Sequence, residues 1–130
     1  MLAGKKIVVL SDPATLDGFK SIIEATDKLK NTSFFFAVTA FDVEAIIKKE
    51  SPDLLFLDIC CIDIKNMETE NVWDCEGTKV LKRYGRTYKT MTISYSNADG
   101  APSRVLGSKW NFMRPTNFDK IIETWELFWK

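Results

Sequence analysis

The 130-residue sequence predicts an α/β fold, in which a doubly wound sheet of five parallel strands is covered by helices on both faces. The first observation is alternation, since five short apolar segments are separated by segments whose apolar residues recur at helical spacing. The second is the unbroken apolar run 54–57, which is typical of a strand buried on both faces. Right-handed crossovers then give the doubly wound form. We expect one domain spanning 1–130.

The first half of the chain predicts three strands and two helices. The strands are the apolar runs KKIVVL (5–10), SFFFAVT (33–39) and DLLFLDI (53–59). A helix is expected over 11–30, because Asp12 is placed to cap its amino end and Pro13 suits its first turn. A shorter amphipathic helix, with Val43, Ile46 and Ile47 on one side, is expected to end before Ser51.

The second half predicts three helices and two strands after a polar stretch that reaches Gly77. A short helix is expected in GTKVLKRYG (77–85) and a weaker one in APSRVLGSK (101–109). The strands are KTMTISYS (89–96) and WNFM (110–113). A final helix over 117–130 carries an apolar stripe, made of Phe118, Ile121, Ile122, Trp125 and Phe128.

The composition is that of an ordinary globular protein and argues against several functional classes. Lys plus Arg and Asp plus Glu number 18 each, so no net charge directs the chain to nucleic acid or to a membrane. The apolar runs are far shorter than the ~20 residues that span a bilayer, and no secretory leader is recognisable, so we expect a cytoplasmic protein. The chain has no histidine, which excludes Ser-His-Asp triads and HExxH zinc sites within it.

The three cysteines, Cys60, Cys61 and Cys75, do not form a recognisable framework. Their number is odd and two are adjacent, which is a poor basis for disulfides. A zinc site made from them would lack a fourth ligand. We expect reduced, partly buried thiols.

Polar residues stand where the predicted strands end. The first strand ends in Ser11-Asp12, the third in Asp58, the fourth in Ser94 and the fifth in Arg114. Ligands of parallel sheets bind outside the carboxyl ends of the strands, so these side chains are expected at one edge. Carboxylates suit Mg²⁺, and a hydroxyl with a guanidinium suits phosphate oxygens. The sequence therefore predicts a site for a hard cation and a phosphoryl group.

These motifs, in this order, resemble the response-regulator receiver domain over essentially the whole chain. PDLLFLD resembles the family strand that ends in the phosphoacceptor aspartate, and IVVLSD resembles the strand that ends in an acidic pair. TISYS resembles the strand with the switch Ser or Thr, and GSKWNFMRP resembles the one that ends in Lys-Pro. The resemblance implies the CheY-like, flavodoxin-like strand order 2-1-3-4-5.

The resemblance implies a role in a two-component phosphorelay and no enzymatic activity. Asp58 would take a phosphoryl group from a phosphohistidine on a histidine kinase or a phosphotransfer protein. Mg²⁺ would be held by Asp12, Asp58 and the carbonyl of Cys60, while Ser94 and Arg114 would move toward the phosphoryl group. A downstream protein partner would read the resulting conformational change.

Four features depart from the family pattern. Ser11 replaces the first acid, Arg114 replaces the lysine, and Asn111 replaces the aromatic switch residue. The short turn after Asp58 becomes a long loop, with five acids and one lysine from Asp63 to Glu76. We interpret that loop as a solvated surface segment. The alternative is that it supplies an additional metal ligand, such as Asp63.

Other interpretations stay open. Asp58 could be a structural acid bound by backbone amides. The chain could also be a pseudo-receiver, which keeps the fold as a phosphorylation-independent protein-binding module. A small phosphatase or hydrolase is disfavoured, because the sequence has no glycine-rich phosphate loop.

Overall fold

The computed structural model of the chain describes residues 2–60, 72–94, 101–113 and 117–128. Their fold is built on a five-stranded sheet in which every neighbouring pair of strands is parallel. The strand order is 2-1-3-4-5, which confirms the predicted α/β fold and its winding. The strands are β1 (Lys6–Leu10), β2 (Ser33–Ala37), β3 (Leu54–Asp58), β4 (Thr90–Ser94) and β5 (Trp110–Met113).

In the described ranges, five α-helices connect or follow these strands. They are α1 (Pro13–Glu24), α2 (Ala40–Glu50), α3 (Glu76–Tyr84), α4 (Ala101–Leu106) and α5 (Phe118–Phe128). Short 3₁₀ turns lie at Asp27–Leu29 and Val72–Asp74. In the part of the chain that the structure describes, no helix has the length and apolar character needed to cross a membrane.

The first helix is shorter than predicted. The sequence pattern predicted one helix over 11–30, but α1 ends at Glu24 and a separate 3₁₀ turn follows. Thr26 lies between them in extended backbone, with φ −111° and ψ 103°. Its hydroxyl donates a 2.6 Å hydrogen bond to the carbonyl oxygen of Ile22. A side chain that bonds the backbone four residues earlier weakens a helix, and the backbone leaves helical geometry at Thr26 although Leu29 continues the apolar spacing.

The sheet separates two apolar layers. Helices α1 and α5 cover one face, and α2 and α3 cover the other. Because successive strand residues point to opposite faces, Leu54 and Phe56 of β3 enter the first layer and Leu55 and Leu57 enter the second. This double burial explains the unbroken apolar run in β3. The run also brings Asp58, the next residue, to the edge of the sheet where the strands end.

Helix α3 begins in direct contact with the end of β3. The amide of Gly77 donates to the carbonyl oxygen of Ile59 over 2.9 Å. A Cβ added at Gly77 would collide with the carbonyl oxygen of Asp58 and would lie 2.6 Å from the Cα of Ile59. No side chain fits at this position unless the backbone moves. The glycine therefore allows the close contact that fixes the backbone of Asp58.

Gly77→Ala is expected to lower the free energy of unfolding by about 1–3 kcal/mol, because the added methyl group must displace backbone atoms. Gly18→Ala is the matched control within α1, where an added Cβ would meet nothing within 4 Å. It should raise the free energy of unfolding by about 0.5–1 kcal/mol, since alanine favours helix over glycine. Urea unfolding measures both changes. Equal effects of the two substitutions would contradict the close contact at Gly77.

Candidate functional site

Asp58 is a buried carboxylate at the carboxyl end of β3, the central strand of the sheet. It is 1% exposed, between β1 on one side and β4 on the other. Its Oδ2 accepts a 2.8 Å hydrogen bond from the hydroxyl of Ser11. Removing a carboxylate from water is costly unless neighbouring groups compensate. Such a group in a converging set of polar side chains is a candidate for function.

Ser11 joins the two carboxylates that the sequence singled out. It follows β1 and is 3% exposed. Its Oγ lies 2.8 Å from Oδ2 of Asp58 and 3.3 Å from Oδ1 of Asp12. A serine hydroxyl has one proton, so the shorter contact with Asp58 takes it. The structure thus brings Ser11, Asp12 and Asp58 together at one edge of the sheet, while their roles stay predictions.

Asp12 is also the N-cap of α1, as the sequence predicted. Its Oδ2 accepts a hydrogen bond from the amide of Thr15 over 3.1 Å, and its Oδ1 accepts one from the hydroxyl of Thr15 over 2.7 Å. The positive end of the helix dipole favours a charged carboxylate at this place. The start of α1 therefore holds Asp12 in an orientation that also brings it near Ser11.

Ser94 lies at the end of β4 and is part of a chain of polar side chains. It is fully buried, and its Oγ accepts a 2.9 Å hydrogen bond from Nδ2 of Asn111. Oδ1 of Asn111 accepts a 2.7 Å hydrogen bond from the hydroxyl of Thr92. Oγ1 of Thr92 lies 2.7 Å from Oγ of Ser103 in α4. This polar chain, Ser94–Asn111–Thr92–Ser103, connects the site with α4.

Most of this polar chain is not recognisable in the sequence. Asn111 was recognised only as a departure from the aromatic switch residue. Thr92 and Ser103 are buried polar residues in β4 and α4. The only signal available was the presence of such residues in segments that are otherwise predicted to be apolar. Their partners come from three different elements, so the pairing could not be predicted from spacing.

Two predicted parts of the site lie outside the described residues. Arg114 is one of them, although its predecessor Met113 pairs with Ser94 across β4 and β5. The other is most of the acidic loop, residues 61–71, which includes Asp63. The predictions for these residues stay predictions.

The donor set at this edge fits a weakly bound hard cation. In the described ranges, no three Asp, Glu or Cys side chains cluster as a ready-made metal site. Mg²⁺ keeps several waters, however, and is commonly bound by one or two carboxylates together with a substrate phosphate. Asp12 and Asp58, connected through Ser11, provide two such carboxylates. The carbonyl of Cys60, two residues after Asp58, is the predicted third donor.

Comparison with known proteins gives matches among solved structures. No protein-family model matches the sequence, and curated proteins give no significant match. A CheY-like response regulator receiver domain protein from Methanospirillum hungatei JF-1 matches with a TM-score of 0.71 at 24% identity, over 94% of this chain and 90% of that chain. A two-component response regulator from Clostridium difficile gives a TM-score of 0.72 at 19% identity, over 95% and 93% of the two chains.

A third match is the signal receiver domain of a DNA-binding response regulator from Colwellia psychrerythraea 34H. Its TM-score is 0.72 at 14% identity, over 95% of this chain and 97% of that chain. At such identities the matches show a common fold. They show it over nearly the full length of the chain, and the site described above lies where the strands of that fold end.

Proposed function

Because this chain has the fold of response-regulator receiver domains, we propose that it accepts a phosphoryl group on Asp58 and signals in a two-component phosphorelay. The donor is a phosphohistidine on a histidine kinase or a phosphotransfer protein. A downstream protein partner in the cytoplasm recognises the resulting conformational change. The observation that carries the proposal is the buried carboxylate of Asp58, which lies at the end of the central strand beside Ser11 and Asp12.

The proposed transfer uses the carboxylate of Asp58 as a nucleophile. A carboxylate oxygen attacks the phosphorus, an O–P bond forms, and the N–P bond to the donor imidazole breaks; the leaving imidazole takes up a proton. Asp12, Asp58 and the Cys60 carbonyl would hold Mg²⁺, which would neutralise negative charge on the phosphoryl group during transfer. Ser11 keeps Asp58 oriented through its 2.8 Å hydrogen bond to Oδ2.

The polar chain Ser94–Asn111–Thr92–Ser103 supports a route by which phosphorylation of Asp58 would change the surface around α4. Ser94 accepts a hydrogen bond from Asn111, so its own proton is available to a phosphoryl oxygen. A movement of Ser94 toward the aspartyl phosphate would disturb the contact with Asn111 and, through Thr92, the contact with α4. In this proposal the polar chain takes the part that an aromatic switch residue has in the family. Trp110, next to Asn111 and 53% exposed, would report the change.

Ser11→Asp is expected to tighten Mg²⁺ binding severalfold, because a third carboxylate would stand beside Asp12 and Asp58. Without the cation the same substitution should lower stability, since like charges repel at this distance. Calorimetric titration of both proteins with Mg²⁺ measures the first effect. Ser11→Ala is the control, since it removes the hydroxyl without adding charge and should not tighten binding. The metal assignment is wrong if neither wild type nor Ser11→Asp responds to Mg²⁺.

Titration with beryllofluoride, a mimic of the phosphoryl group, tests the proposed site without a kinase. We expect saturable binding in the presence of Mg²⁺, a change in tryptophan fluorescence, and loss of both in Asp58→Asn. Binding that persists in Asp58→Asn would contradict the proposed position of the phosphoryl group.

The second candidate function is a pseudo-receiver that binds a protein partner irrespective of phosphorylation. The observation that favours it is the hydroxyl of Ser11, which replaces an acid of the family pattern and already bonds Oδ2 of Asp58. In that case beryllofluoride would not bind wild type, and a partner would bind wild type and Asp58→Asn with equal affinity.

A further inference from the structure

Two thiols at the two ends of the long loop that follows Asp58 are in contact. The Sγ atoms of Cys60 and Cys75 are 3.3 Å apart, although the residues are 15 positions apart in the sequence. Both side chains are thiols and both are buried, with 3% and 5% of their surfaces exposed. The sulfurs of a disulfide are about 2.05 Å apart, so bond formation requires an approach of only about 1.3 Å.

The fold itself holds these two residues together. Cys60 follows the end of β3, and Cys75 is the residue directly before α3. These two element ends are fixed to each other by the hydrogen bond from Gly77 to Ile59 and by the close contact that only glycine allows. Both thiols also belong to the apolar layer between the sheet and helices α2 and α3. Their proximity is therefore a property of the packed core.

The pairing could not be predicted from the cysteine count. The odd number and the adjacent Cys60 and Cys61 gave no disulfide framework. The structure separates the three residues into a buried pair, Cys60 and Cys75, and a remaining cysteine, Cys61, which lies outside the described residues.

We propose that Cys60 and Cys75 are a redox pair, which forms a reversible intramolecular disulfide when the protein meets a small peroxide. One sulfur attacks a peroxide oxygen, the O–O bond breaks, and a sulfenic acid and water form. The second sulfur attacks the sulfenic sulfur, the S–S bond forms, and a second water leaves. Two electrons pass from the thiols to the peroxide. The second thiol at 3.3 Å intercepts the sulfenic acid before further oxidation.

The disulfide would close residues 60–75 into a covalent loop that begins two residues after Asp58. A crosslink reduces the freedom of the unfolded chain, so the oxidised protein should be the more stable form. Burial of both sulfurs slows the reaction and restricts it to small oxidants. This chemistry does not depend on phosphorylation, and it adds a second covalent modification beside the proposed phosphorylation site.

The experiment treats the folded protein with hydrogen peroxide, alkylates the remaining thiols, and determines the intact mass and the linked peptides. Wild type should lose two hydrogens and leave one of its three thiols open to alkylation, with a Cys60–Cys75 peptide that dithiothreitol releases. Cys61→Ser should form the same link. Cys60→Ala and Cys75→Ala should form no intramolecular link, and circular dichroism checks that both variants fold.

Three results would overturn the redox pair. The first is an intramolecular link that persists in Cys60→Ala, since it would have to join Cys61 to Cys75. The second is crosslinking between chains only, or oxidation to sulfinic acid with no S–S bond. The third is a thermal unfolding midpoint of oxidised Cys61→Ser that lies below that of the reduced protein, which would mean that the native fold opposes the bond. A higher midpoint supports the proposal.

Discussion

Truncation of Trp125 to alanine is expected to lower the free energy of unfolding by about 3–5 kcal/mol. The side chain is fully buried where α5 packs on the sheet. Its ring centroid lies 5.3 Å from that of Phe56 in β3, 5.7 Å from that of Phe19 in α1 and 6.0 Å from that of Phe34 in β2. One residue therefore contacts three elements, and its removal leaves a cavity that the surrounding rings cannot fill without moving.

Leu127→Ala is the matched control in the same helix. Leu127 is 65% exposed, so its truncation should change the free energy of unfolding by less than about 0.5 kcal/mol. Denaturant unfolding, followed by far-ultraviolet circular dichroism, measures both variants. Equal losses would contradict the packing of α5 onto the sheet.

Trp125→Phe separates size from polarity at the same position. Among the described residues, the buried indole Nε1 has no hydrogen-bond partner. A buried donor without a partner costs roughly 1–3 kcal/mol, and phenylalanine removes that donor. We therefore expect Trp125→Phe to be clearly less destabilising than Trp125→Ala.

The fold could be predicted because the strands are recognisable in the sequence as short apolar segments. In β3 four consecutive apolar residues are buried on alternating faces, and in α5 the stripe of Ile121, Ile122 and Trp125 is buried as predicted. The end of α1 could not be predicted. Leu29 keeps the helical spacing, but the backbone is extended at Thr26, a β-branched residue whose hydroxyl bonds the backbone of Ile22.

The candidate site could be predicted in outline, since parallel strands place their carboxyl ends at one edge. That rule alone brings Ser11, Asp12, Asp58 and Ser94 to the edge of the sheet where the strands end. The contacts between them depend on side-chain conformations, which spacing does not determine. The hydrogen bond between Ser11 and Asp58 joins residues 47 positions apart. The polar chain through Asn111 and the close thiols of Cys60 and Cys75 arise in the same way.

Asp58→Asn is expected to abolish phosphorylation completely. The asparagine amide has nearly the shape of the carboxylate but is not a competent nucleophile, so the fold should survive while the reaction is lost. Asp53→Asn is the matched control, because Asp53 lies directly before the opposite end of the same strand. There its Oδ2 accepts a 2.8 Å hydrogen bond from the amide of Lys6. That variant should be phosphorylated as wild type is.

The intact mass of the protein after incubation with a small acyl phosphate tests the central claim most directly. With Mg²⁺ present, wild type and Asp53→Asn should each gain the mass of one phosphoryl group, while Asp58→Asn gains none. Removal of Mg²⁺ with a chelator should suppress the gain in wild type. Phosphorylation at Asp58 is contradicted if wild type gains no phosphoryl mass from any acyl phosphate, or if Asp58→Asn gains it as wild type does.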